Sequence, residues 1–91
     1  MHNINLNNRL SFSVQPHNSK LRFVVHEHGN ESVCRIERKM SIQQFLSYDE
    51  ARIFKGRLQL YKYKNEITVE VKGESVGIFS TKEFTELLSK V

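Results

Sequence analysis

His26, Glu27, His28, Glu31 and Cys34 place five metal-ligating side chains close together around one turn. The two histidines share a strand face. No pair among the five has a zinc-site spacing, and Cys34 reads as an inward-facing core residue, so the group reads as a polar hairpin tip. No metal or cofactor is expected. A nucleophile would need a base and an orienting third group, and neither Cys34 nor any serine has that local signature. The glycines Gly29, Gly56, Gly73 and Gly77 are scattered and form no phosphate-cradling loop. Glu66 and Glu70 share a strand face, which a solvated surface explains. The sequence therefore points to a binding protein rather than an enzyme.

The residues with more to offer lie in the second half. Alternation there sets Arg57 opposite Lys72, Gln59 opposite Glu70, and Tyr61 opposite Thr68, with Phe79 beyond Thr68 on the same outward face. Tyr63 and Lys64 stand at its hairpin end. Aromatic rings with basic neighbours on an open sheet suit single-stranded nucleic acid: bases stack on the rings for ~1–3 kcal/mol each, and cations follow the phosphates. The first half adds Lys20, Arg22 and Arg35 to its own outer face. An exposed aromatic face serves equally as a protein interface, so docking to another protein is the second expectation.

These side chains need a scaffold, and the hydrophobic periods describe one. Leu10, Phe12 and Val14 alternate with polar residues, as do Leu21, Phe23 and Val25 after the turn at Pro16–Ser19. The expected pairs are Val14 with Leu21, Phe12 with Phe23, and Leu10 with Val25. A turn over His28–Glu31 then sets Val25 against Cys34 and Phe23 against Ile36, with Arg22 meeting Glu37 outside. Ser41, with Gln44 three residues on, predicts a capped helix. Its end is open: Tyr48 to Lys55 extends or restarts it, and Gly56 stops it.

From Arg57 the pattern begins again. Leu58 pairs with Val71 and Leu60 with Val69 across a Lys64-Asn65 turn, and a Gly73-Glu74 turn sets Val71 against Val76 and Val69 against Ile78. Ser80-Thr81-Lys82-Glu83 is a complete capping box. Phe84, Leu87, Leu88 and Val91 follow at helical spacing. The expected fold class is α+β: two β-β-β-α units, antiparallel meanders with helices on one face. Residues 1–8 form a polar tail, 9–55 the first half and 56–91 the second. Ser41–Phe45 and Ser80–Phe84 correspond in sequence, which suggests an internal pseudo-repeat.

Composition agrees. The 91 residues allow one domain, and the hydrophobic share of 38% is that of a folded chain. Fourteen Lys+Arg against ten Asp+Glu give a net charge of +4, which draws anionic partners. A lone cysteine, no signal-peptide pattern and no membrane-length apolar run predict a cytoplasmic protein that does not engage membranes.

The run from Leu58 to Val91, a basic first strand, two hairpins and then Ser80-x-x-Glu83-Phe84-x-x-Leu87-Leu88, resembles the unit of PUR repeats and the related single-stranded-DNA-binding cofactors. Whirly proteins share that plan. The resemblance implies single-stranded nucleic acid bound on the curved outer sheet face, here Arg57, Gln59, Tyr61 and Lys72. The leading expectation is therefore a small single-stranded DNA- or RNA-binding regulatory or accessory protein, as a monomer of two pseudo-repeats or a homodimer. PUR repeats carry four strands before the helix; the patterns here show three per half.

Overall fold

The computed structural model describes residues 3–91. Its elements run β1 (Asn3–Asn5), β2 (Leu10–His17), β3 (Lys20–Glu27), β4 (Asn30–Arg38), α1 (Lys39–Ser47), β5 (Glu50–Ile53), β6 (Leu58–Tyr63), β7 (Glu66–Val71), β8 (Glu74–Ser80) and α2 (Thr81–Ser89). They form two four-stranded antiparallel sheets, β1-β2-β3-β4 and β5-β6-β7-β8, each followed by a helix. The class is α+β with two units, and each unit has one strand more than the patterns predict. Among the described residues, no helix is long and apolar enough to cross a membrane.

The extra strands are β1 and β5. Asn3–Asn5 reads as part of a polar tail, yet it pairs with β2 through Ile4 and Phe12. Glu50–Ile53 reads as an extended or restarted helix, yet it pairs with β6 through Arg52 and Tyr61 and through Ile53 and Leu60. Both segments are poor in strand-forming residues and are held extended by a neighbour's ladder. Gly56 accordingly sits in the turn before β6 rather than at a helix end.

Both halves follow one plan. A four-residue connection, 6–9 or 54–57, joins the first two strands, and two-residue turns join the rest at Asn18-Ser19, His28-Gly29, Lys64-Asn65 and Lys72-Gly73. The residue leading each turn has positive φ, and in the second turn of each half a glycine follows at φ 82 or 85. Two such residues give the hairpin turn whose twist matches the strands. The tight turn is therefore Lys72-Gly73 and not Gly73-Glu74.

A bulge recurs at the same place in each half, three residues before that second turn: between Val25 and His26, and between Val69 and Glu70. One inserted residue shifts all later positions to the opposite face. Five expectations change as a result. Cys34 faces Val24 and is exposed, and Ile36 faces Arg22 outside, while Val33 takes the core position opposite Val25. Arg35 turns inward opposite Phe23. Phe79 faces Ile67 at 2% exposure, and Ile78 stands outside at 57%. Gly77 opposes Val69, and a Cβ there would lie 2.8 Å from Leu6 Cβ, because the segment after β1 crosses β8.

The β2–β3 ladder is displaced by two residues from the expected pairs: Phe12 meets Val25 and Val14 meets Phe23. An even displacement keeps every side chain on its expected face. In the second half, Leu58 with Val71 and Leu60 with Val69 pair as expected.

The sheets' inner faces and the helices share one core. Phe12, Phe23, Phe79 and Phe84 pack with ring centroids 5.2–6.2 Å apart, and Phe54 joins through Phe23 at 5.2 Å. Phe84 of α2 thereby touches aromatics of both sheets. Helix α2 starts as predicted: Ser80 Oγ accepts from the Glu83 N–H, and Glu83 accepts from the Ser80 N–H. Helix α1 does not. It begins at Lys39 directly off β4, Arg38 is its N-cap without a side-chain bond, and Ser41 lies inside the first turn. Ile42 therefore occupies the place in α1 that Phe84 occupies in α2, which displaces the Ser41–Ser80 correspondence by three residues. Buried Lys62 donates from Nζ to the carbonyl oxygen of Tyr48, tying the end of α1 to β6.

Candidate nucleic-acid interface

Strand β6 directs Leu58, Leu60 and Lys62 inward, so Gln59, Tyr61 and Tyr63 must point out. Strand β5 adds Glu50 and Arg52 beside them, β7 adds Thr68 and Glu70, and β8 adds Ile78. Arg52 links much of this face. Its guanidinium lies 4.8 Å from the Tyr61 ring centroid, donates to Glu70 at 2.9 and 3.4 Å, and reaches Gln59 at 3.3 Å. The Tyr61 hydroxyl donates to Glu50 Oε2 at 2.6 Å. That bond holds the Tyr61 proton, so its pKa is raised, and the Glu70 bond likewise raises Arg52. Tyr63 is 51% exposed with Lys64 Nζ 5.4 Å from its ring.

Of the predicted site residues, Gln59, Tyr61 and Tyr63 lie on this face, and Arg57, Lys64 and Lys72 rim it in or beside the turns. Phe79 does not; it is core. Lys20 and Arg22 lie on the outer face of the other sheet, where Arg22 is bound bidentately by Glu31 at 2.8 Å and not by Glu37. The Glu31 bond raises Arg22 and lowers Glu31. On the same face, Ser13 Oγ lies 3.1 Å from His26 Nε2. Among the described residues, no three His, Cys, Asp or Glu side chains converge.

Arg35 is not on an outer face. It lines a groove of about 540 Å³ between β4, α1 and β5, together with Glu37, Gln44, Tyr48 and Lys55. Its Nε is buried without a hydrogen-bond partner among the described residues. Glu50, Arg52, Tyr48 and Lys55 stand outside the site that the sequence patterns predict. A signal existed, since Glu50-Ala51-Arg52-Ile53 alternates polar with apolar.

No protein-family model, curated protein or solved structure matches this chain.

Proposed function

We propose that the protein binds single-stranded nucleic acid on the outer face of β5–β8, as a binding rather than a catalytic component. The observation that carries this is the pair Tyr61 and Tyr63, two residues apart on β6 and both outward, with Arg57, Lys64 and Lys72 at the rim. Four strands before each helix also match the strand count of the PUR unit. Glu50 and Glu70 repel phosphates over the face, Glu66 does so at its Lys64 end, and Arg52 offsets Glu70. Stacking therefore supplies most of the affinity, and phosphates lie toward the rim. A single cysteine left as an exposed thiol suits a reducing, cytoplasmic setting.

A labelled mixed-sequence oligonucleotide titrated at several salt concentrations tests this. Tyr63→Ala is expected to weaken binding by ~1–3 kcal/mol with the salt slope unchanged. Arg57→Ala with Lys72→Ala lowers the slope by about 1.4, or about 0.7 per lost phosphate contact. Absence of salt-dependent binding by the wild type overturns the proposal.

Exposed Ile78 favours a second reading. It extends the Tyr61–Thr68 row with aliphatic surface, as a protein docking face or homodimer contact would. In that case Ile78→Asp shifts the sedimentation coefficient or abolishes partner capture, while oligonucleotide binding is absent.

A further inference from the structure

Resting on the strand-binding reading, we propose that the groove between β4, α1 and β5 is a nucleotide site, with Arg35 and Lys55 holding a phosphate and Tyr48 stacking the base. The charge of the lining carries the argument. Arg35, Arg52 and Lys55 face Glu37 as the sole carboxylate, and Glu37 already accepts from the Arg38 N–H at 3.1 Å. Arg52 is engaged by Glu70, which leaves Arg35 and Lys55 outside any ion pair among the described residues. A guanidinium Nε buried without an acceptor is costly, and an anionic oxygen in the groove removes that cost.

An adjoining cleft of about 430 Å³ extends the path. It shares Arg35 and Lys55, adds Arg57, and has no carboxylate in its wall. Three cations thus run from the groove to the rim of the tyrosine face. At the groove mouth Tyr48 is 60% exposed, so its ring is available to a base, and Gln44 beside it offers an amide to a base edge. The groove's volume falls within the range of small-ligand sites.

The test follows the Arg35 Nε–Hε and Tyr48 ring resonances while uridine monophosphate, and separately the oligonucleotide, is added to the full chain. Both sets of signals are expected to move with both probes. Arg35→Gln abolishes the Tyr48 shift with the mononucleotide and lowers the oligonucleotide salt slope by about 0.7. Should Arg35→Gln unfold, Lys55→Gln gives the same two readouts from an exposed position. If the oligonucleotide binds and Arg35 and Tyr48 stay unmoved with either probe, the groove inference falls and the strand reading stands. If the mononucleotide moves them and the oligonucleotide does not bind, the groove inference stands and the strand reading falls. Movement with neither probe, together with no oligonucleotide binding, overturns both.

Discussion

On the outer face of β1–β4, Arg22 reaches across to Glu31; on the outer face of β5–β8, Arg52 reaches across to Glu70. Each outer face thus carries one arginine–carboxylate link on the same backbone plan, with the same bulge before the same turn. The surroundings differ. Around Arg22 stand Val24, His26, Cys34 and Ile36, with Lys20 and Arg38 paired at the strand ends. Around Arg52 stand two tyrosines and three carboxylates. The first face is basic and lacks aromatic rings; the second is aromatic with its charges largely offset. Repeating a backbone repeats the positions that point outward and leaves the chemistry to whichever side chains occupy them.

The helices sharpen the contrast, and the largest expected effect lies there. Phe84→Ala removes the side chain that joins the aromatics of both sheets, so it is expected to lower stability by about 3–5 kcal/mol in denaturant unfolding. A loss below about 1 kcal/mol would mean that the halves do not depend on that contact. Capping comes next. Ser80→Ala is expected to cost ~1 kcal/mol because it opens the capping box, whereas Ser41→Ala, with no cap bond to lose, leaves the denaturation midpoint nearly unchanged. Equal effects would erase the difference between the two helix starts.

The smallest effect concerns Tyr61. Its folded-state pKa is raised by the bond to Glu50, so this contribution to stability is complete below the unfolded value near 10.0 and is lost as pH rises through the folded pKa. Alkaline titration by ultraviolet absorbance is expected to show Tyr61 retaining its proton above pH 10.0, and Glu50→Gln lowers that midpoint. An unmoved midpoint would separate Tyr61 from the linked network.

Much of this architecture was legible in the residues. Period-2 runs identified six strands, and the Ser80-to-Glu83 box identified α2, because apolar spacing and capping bonds act over a few neighbouring residues. The outward positions Gln59, Tyr61 and Tyr63 followed from Leu58 and Leu60 by alternation alone. Expectation and structure part where local preference is weak. Ser41 offers a cap, yet β4 stays paired through Arg38 with Lys20 and the chain enters the helix too early to use it.

The sequence by itself determined which residues can be buried and which turns close, since hydrophobic period and turn chemistry are properties of short segments. Only the tertiary structure decided which face several of those residues occupy. Each bulge is one residue accommodated in a ladder between strands, and no local signal announces it. That one residue sent Phe79 and Arg35 inward and brought Cys34 and Ile78 to the surface. Partner strands likewise made strands of Asn3–Asn5 and Glu50–Ile53, because backbone groups beside an open ladder gain hydrogen bonds that local propensity does not anticipate.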